Sequence, residues 1–320
     1  MQAGRNCPLD YRLPADSFAR EPLFDCQTLY VVGGLYGNRQ ALHALEKRLA
    51  AEPDARAVFN GDAHWFDLDA DVFADIEARL AAHTVLRGNV ETELGRPGND
   101  DAGCGCAYPD SVDDQTVARS NQIHARLSGT VAQLPGMAAQ LADRPATALV
   151  SVAGRRIAIT HGDEESLAGW HCARTALATA ARQQALQDWM AAHALSVLAT
   201  SHTCAAAALC KPDFAVINNG AAGMPNFNNG RYGLVTRIST QPHPSALYRA
   251  ELDGLVIEAV PLSYNHAQFI DEFDRQWAAD SPAALSYRER VMRGGEDAPQ
   301  AALLGGFELG QTLCAMGAID

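Results

Sequence analysis

Short apolar runs alternate with stretches of helical periodicity along most of the chain, and many of the runs stop at glycine or at a polar cluster. Thr28–Val32 (TLYVV) is apolar and β-branched and leads into Gly33-Gly34, Tyr36, Gly37 and Asn38, after which a helical pattern covers Arg39–Ala51. The same strand–turn–helix order repeats. Residues 57–60 (AVFN) end at Gly61-Asp62 and precede an amphipathic stretch over 71–82, and Thr84–Leu86 (TVL) runs into Arg87-Gly88-Asn89. A loop rich in Gly, Asp and Cys follows over 95–109, long enough to suggest a functional role. Helical periodicity returns over 114–142, broken near Pro135. Residues 148–152 and 156–160 read as a hairpin around Ala153-Gly154-Arg155, its second strand ending at His161-Gly162-Asp163. An alanine-rich helical stretch fills 172–193; strands over 196–200 and 214–218 end at Ser201-His202 and at Asn219-Gly220. Late strands are expected over 233–239 and 255–260, and the last sixty or so residues look helical and then loosely ordered, with Gly294-Gly295 and Gly305-Gly306 as breaks. The pattern is that of an α/β protein.

Composition narrows the picture. The chain has 320 residues, 48% hydrophobic and 20% charged, enough for one large domain or two small ones. No apolar run approaches the ~20 residues that span a bilayer. The N-terminal sequence lacks the apolar core of a secretory signal, so a cytoplasmic location is the expectation. A net charge of −13 argues against attraction to nucleic acid or an anionic membrane. An anionic small-molecule substrate stays compatible with it, because a bound cation can dominate the field of one pocket. Eight scattered cysteines without a paired framework read as free thiols. Oligomeric state leaves no mark in the sequence.

Five strands end in polar or glycine clusters: GGLYGN, NGD, RGNVE, THGD and SHTC. In open α/β sheets sites gather beyond the carboxyl ends of strands, so clusters remote in sequence converge there. They contain Asp62, Asn89, His161 and His202, a carboxylate, an amide oxygen and two imidazoles that together suit a divalent transition metal. No G-x-G-x-x-G, phosphate-loop, G-x-S-x-G or H-E-x-x-H pattern is present.

In order, Gly34-x-Tyr36, Gly61-Asp62, Gly88-Asn89-Val90-Glu91, His161-Gly162 and Ser201-His202-Thr203-Cys204 resemble the Asp-x-His, Gly-Asp, Gly-Asn-His-Asp/Glu, His-Gly and Gly-His-x-His motifs of calcineurin-like metallophosphoesterases. VINNGAAGMP over 216–225 is similar to a further stretch of that family. The resemblance spans roughly residues 28–240. It implies a four-layer sandwich of two mixed β-sheets flanked by helices over 28–262, with an N-terminal arm (1–27) and a C-terminal helical extension (263–320). It also implies that Asp62, Asn89, His161 and His202 ligate one metal. The family's second metal uses positions that here hold Gly34, Tyr36 and Cys204, and its catalytic histidine is Val90. The implied centre is therefore mononuclear or rebuilt: one Mn, Fe, Zn or Ni ion per chain.

Around it, Tyr36 either marks a turn whose ligands were lost or fills the vacated volume and bonds substrate. Cys204 is an inert small side chain, a soft ligand or a thiolate nucleophile. Cys104 and Cys106 either help rebuild the lost site or belong to a plain loop, and Arg87 and Asn219 flank the motifs as candidate contacts for an anionic group. The expected function is metal-dependent hydrolysis of a small-molecule phosphate mono- or diester by metal-activated water. The alternatives are a non-catalytic ligand-binding descendant, or an enzyme acting on a non-phosphate bond with Cys204 taking part.

Overall fold

A computed structural model of the chain describes residues 3–96 and 102–310. Part of the cysteine-rich loop, the end of the C-terminal extension and Cys314 lie outside the described residues. In chain order the strands are β1 (Asp25–Cys26), β2 (Thr28–Val32), β3 (Ala55–Asn60), β4 (Thr84–Leu86), β5 (Thr147–Val152), β6 (Arg155–Thr160), β7 (Val197–Thr200), β8 (Ala207–Cys210), β9 (Ala215–Asn218), β10 (Tyr232–Ser239), β11 (Tyr248–Leu252), β12 (Leu255–Ser263) and β13 (Glu308–Leu309). The helices are α1 (Arg39–Ala51), α2 (Ala70–Leu80), α3 (Asn89–Leu94), α4 (Asp114–Val131), α5 (Met137–Ala142), α6 (Arg174–Leu177), α7 (Ala180–Ala192), α8 (His266–Gln276) and α9 (Pro282–Arg293).

Two mixed sheets face each other, ordered β1-β5-β6-β7-β9-β8 and β13-β11-β12-β10-β2-β3-β4. The period-2 alternation of each strand divides its side chains between two layers. In β2, Leu29 and Val31 enter the core between the sheets, while Tyr30 and Val32 pack outward beneath Ala41, Leu42 and Leu45 of α1 and Ile76 and Leu80 of α2. In β6, Ile157 and Ile159 face the inter-sheet core and Ala158 faces Leu186 and Met190 of α7. Helix, sheet, sheet, helix: this is the four-layer α/β arrangement expected from the motifs.

Most of the helices start where a side chain caps them. Asn38 Oδ1 accepts from the Ala41 amide at 3.0 Å and Asp69 Oδ1 from the Asp71 amide at 2.9 Å. Both terminal segments join the sheets. β1 pairs parallel with β5, and β13 closes the edge beside β11. Tyr11 in the N-terminal arm donates to Glu93 Oε1 at 2.6 Å, so the arm is held against α3. The strands β8 and β11 stand where the hydrophobic pattern gave no strand. β8 lies in an alanine run with little β preference, and its pairing with β9 decides its conformation.

Candidate metal centre

The parallel strands β2, β3 and β4 of one sheet and β6 and β7 of the other deliver their carboxyl ends to one place. Asn60, at the end of β3, joins the sheets: its Nδ2 donates to the Thr160 carbonyl at 2.8 Å and to Ser201 Oγ at 3.0 Å. Glu91, buried in α3, ties two of the incoming loops. Its carboxylate accepts from the amides of Gly88 (2.7 Å), Asp62 (2.9 Å) and Ala63 (2.8 Å). Gly88 itself has no room for a side chain, because a Cβ there would strike Asp62 Oδ1 and His161 Cε1. Asp62 is held at φ +54°, in the left-handed region that non-glycine residues occupy at a cost.

Asp62, His161 and His202 form a buried group whose ligand atoms all lie within 4.8 Å of one another. Their hydrogen bonds settle which atoms face inward. His161 Nδ1 is 2.8 Å from the Asn60 carbonyl and donates to it, which leaves Nε2 pointing into the site. His202 Nε2 donates to the Cys106 carbonyl at 3.0 Å, which leaves Nδ1 pointing in. Asn89 Nδ2 donates to the Cys104 carbonyl at 2.8 Å, so its Oδ1 faces the same point. The inward atoms stand close together. His161 Nε2 is 3.1 Å from Asn89 Oδ1, 3.2 Å from His202 Nδ1 and 3.3 Å from Asp62 Oδ2.

Four acceptors facing one another out of water are unfavourable unless something positive sits among them. One proton can serve only one or two of them. Donors about 2.1 Å from a shared ion stand about 3.0–3.4 Å apart in octahedral or tetrahedral arrangements, which matches the separations here. The donor set therefore fits a divalent metal.

The protonation tendencies agree. Burial, then the neighbouring His161, push His202 down to about 3, so it stays neutral. Burial would lower His161, but the Asp62 carboxylate, its hydrogen bond and the Asn60 carbonyl outweigh burial and raise it. Burial likewise opposes ionisation of Asp62, and the His161 charge overcomes it to hold Asp62 low.

The positions that the sequence resemblance assigns to a second metal are filled differently. Tyr36 Oη lies 2.7 Å from Cys204 Sγ, and Cys204 Sγ is 3.3 Å from the His202 carbonyl. The consistent reading is Tyr36 donating to sulfur and the thiol donating to the carbonyl. Burial pushes both groups up, Tyr36 further helped by the nearby Cys204 and Asp62, so both stay neutral. Gly34 sits at φ +65°, and a Cβ there would come within 2.7 Å of the Tyr36 ring. The ring thus occupies the space into which a side chain at 34 would project.

Arg87 and Asn219 do not reach this place. Arg87 Nη1 donates to the carbonyls of Ala142 (2.9 Å) and Arg144 (3.2 Å), across the loop after α5. Asn219 Nδ2 donates to Gly33 and Leu234 carbonyls at 3.0 and 2.8 Å, and its Oδ1 accepts from Ser201 Oγ at 3.0 Å, so every polar atom is committed to joining strands. The two side chains point into the scaffold, away from the opening. The cysteine-rich loop contributes backbone carbonyls from residues 104 and 106 that orient Asn89 and His202. Its Cys106 thiol, raised by burial and by Cys104, lines the cavity as a neutral group. The seven described cysteines form no disulfide.

A cavity of about 230 Å3 opens over Asp62, Asn89 and His202. Its walls include Tyr108, Trp170, Tyr287 and Arg290, none of which the strand-end motifs single out. Tyr287 and Arg290 come from α9, more than sixty residues after the last stretch of the resemblance, where no local pattern marks them. A second buried polar cluster lies beside β3. His64 Nδ1 is 2.5 Å from Asp67 Oδ2, its Nε2 is 2.8 Å from Glu77 Oε1, and Arg144 pairs with Glu77.

No family model matches this sequence, and no curated protein matches it. Solved structures do. A hypothetical protein from Pyrococcus horikoshii OT3 superposes with a TM-score of 0.57 at 13% identity, over 84% of this chain and 99% of its own. A metallophosphoesterase from Sphaerobacter thermophilus superposes with a TM-score of 0.52 at 15% identity, over 84% of this chain and 100% of its own. At these identities the likeness concerns the fold: this chain has the layered α/β fold of the metallophosphoesterases. Within that fold, a candidate metal-ligand group stands at the carboxyl ends of the strands. Among the described residues no helix is long and apolar enough to cross a membrane.

Proposed function

We propose that this chain is a metal-dependent hydrolase of the phosphoesterase type, acting on a small anionic phosphate ester with one divalent ion held by Asp62, Asn89, His161 and His202. The observation that carries the reading is the convergence of four lone-pair donors, each turned inward by a hydrogen bond behind it. Bound there, a Mn, Fe, Zn or Ni ion supplies Lewis-acid polarisation of a phosphoryl oxygen and acidifies water. His202, held low by burial, would serve as a neutral ligand, and His161, raised by the Asp62 carboxylate, would have to be free of its inward proton to bind the ion, so uptake would depend on pH. Asp62 supplies the negative charge. Tyr36 and Cys204, closed on each other, act as a neutral filling of the second flank. Arg290 lines the opening with a positive charge suited to a phosphoryl oxygen.

The test is turnover of aryl phosphate mono- and diesters by protein stripped with a chelator and reloaded with Mn, Fe, Zn or Ni. Activity is expected to vanish on stripping, return on reloading and be absent in Asp62→Asn. Turnover that survives both stripping and Asp62→Asn would overturn the reading.

A further inference from the structure

The cavity over the metal group is more specific than a generic phosphate site, and its walls describe a substrate. Trp170 begins the wall at the ligand itself: its ring stands 5.3 Å from that of His202, nearly perpendicular. Its Nε1 donates to the Cys106 carbonyl at 3.1 Å, the same carbonyl that orients His202. One backbone oxygen therefore fixes both a candidate metal ligand and the first aromatic wall. Tyr108 continues the wall 6.1 Å from Trp170, its hydroxyl held to Ser120 Oγ at 3.0 Å. Tyr287 lines the cavity from α9, its ring 5.2 Å from Phe66. The three rings are partly exposed, whereas Asp62, Asn89 and His202 beneath them are buried.

Arg290 supplies the polar side. Its Nε donates to the Pro225 carbonyl and its Nη2 to the Cys204 carbonyl, both at 2.9 Å, which fixes the guanidinium in place. Nη1 has no hydrogen-bond partner, and no carboxylate pairs with Arg290, among the described residues. A held guanidinium with a spare donor suits one anionic oxygen or a pair of them. It is the only Lys or Arg lining the cavity among the described residues, and the room is small, about 230 Å3, below the ~300–1,000 Å3 of drug-sized sites.

Accordingly we propose that the substrate is a compact aryl phosphate ester, with a planar aromatic group attached next to the phosphoryl group and stacked among Tyr108, Trp170 and Tyr287, and the phosphoryl group shared between the metal group and Arg290. Rings held by hydrogen bonds and packing lose little freedom on binding, so the preference resides in the free protein. Sugar and alkyl phosphates leave the rings uncovered, and polyphosphates exceed the available positive charge. This inference rests on the phosphoester reading for its reacting group, and rests separately on the walls for its aromatic part.

The experiment is calorimetric titration of metal-loaded full-length chain with phenylphosphonate and methylphosphonate, which share a headgroup and resist hydrolysis. Phenylphosphonate is expected to bind at least tenfold tighter. Tyr108→Leu is expected to remove most of that preference while leaving methylphosphonate binding unchanged, and Tyr108→Phe to retain it. Arg290→Gln is expected to weaken both ligands by a similar factor, with metal content and Tm recorded for each variant. Equal affinities in the parent protein, or a preference that survives both Tyr108→Leu and Tyr287→Leu, would overturn the proposal. Aryl preference in binding without any ester hydrolysis would keep the aromatic recognition by the walls and overturn both the catalytic reading and the ester as substrate. Hydrolysis of aryl and alkyl esters alike, with equal phosphonate affinities, would do the reverse.

Discussion

The two flanks of the centre are built on opposite principles. On the flank of Asn89, His161 and His202, every side chain has a hydrogen bond behind it, to the carbonyls of Cys104, Asn60 and Cys106, and turns its other polar atom toward one shared point in front. On the flank of Tyr36 and Cys204 the polar atoms face each other and are satisfied by each other and by the His202 carbonyl. The first flank is incomplete without a cation. The second is complete as it stands. What separates them is whether the scaffold leaves a lone pair unspent, which the count of polar residues alone does not reveal.

The largest effects are expected on the first flank. His161→Ala, His202→Ala or Asp62→Asn is expected to abolish metal retention and, with it, an effect of several kcal/mol on the reaction, about 10^3-fold or more in turnover. Metal analysis and kcat on the same preparations check this. Glu91→Gln comes next, because it weakens a carboxylate that accepts three amides and joins the Asp62 and Asn89 loops. A stability loss of about 1–3 kcal/mol by denaturant unfolding is expected, with metal affinity down about 10- to 100-fold.

On the second flank Gly34→Ala is expected to cost about 1–3 kcal/mol, since it places a Cβ at φ +65° against the Tyr36 ring. Combining it with Tyr36→Ala should recover part of that loss, and a double-mutant cycle reads the coupling. Additive losses would mean the ring is not what crowds position 34.

The polar cluster around His64 gives a smaller, pH-dependent effect. Burial opposes its charge, but Asp67 and then Glu77 outweigh burial and raise it from 6.5 to about 9. A raised histidine stabilises the fold fully below the unfolded value near 6.5, and the contribution disappears as pH rises through about 9. Tm of the parent protein is expected to fall between these values more steeply than that of His64→Gln. Parallel profiles would show that His64 carries no such charge. The smallest change is expected for Cys204→Ser, which keeps a donor and acceptor beside Tyr36: turnover should stay near the parent value, whereas a nucleophilic thiolate would lose nearly all of it.

Much of this architecture was legible in the sequence, for local reasons. Strands such as β2 and β6 show apolar runs because both faces are covered, and the candidate ligands sit within one to three residues of the strand ends. β8 was not legible, since alanine carries no strand signal and pairing alone defines it. Asp62, Asn89, His161 and His202 are singled out in the sequence by position, but the direction of a side chain after a turn is a tertiary property. That is why Arg87, adjacent to a motif, points to carbonyls 142 and 144, while Arg290, remote from every motif, lines the cavity. The aromatic wall is assembled from segments around residues 108, 170 and 287 and leaves no local signature at any of them.

One cation per chain, on one flank only, is what sets this centre apart. It is tested most directly by metal content after equilibrium dialysis against Mn and Zn, comparing the parent protein with His202→Ala. One tightly held equivalent is expected in the parent and none in the variant. Two equivalents in the parent, or retention unchanged in His202→Ala, would contradict it.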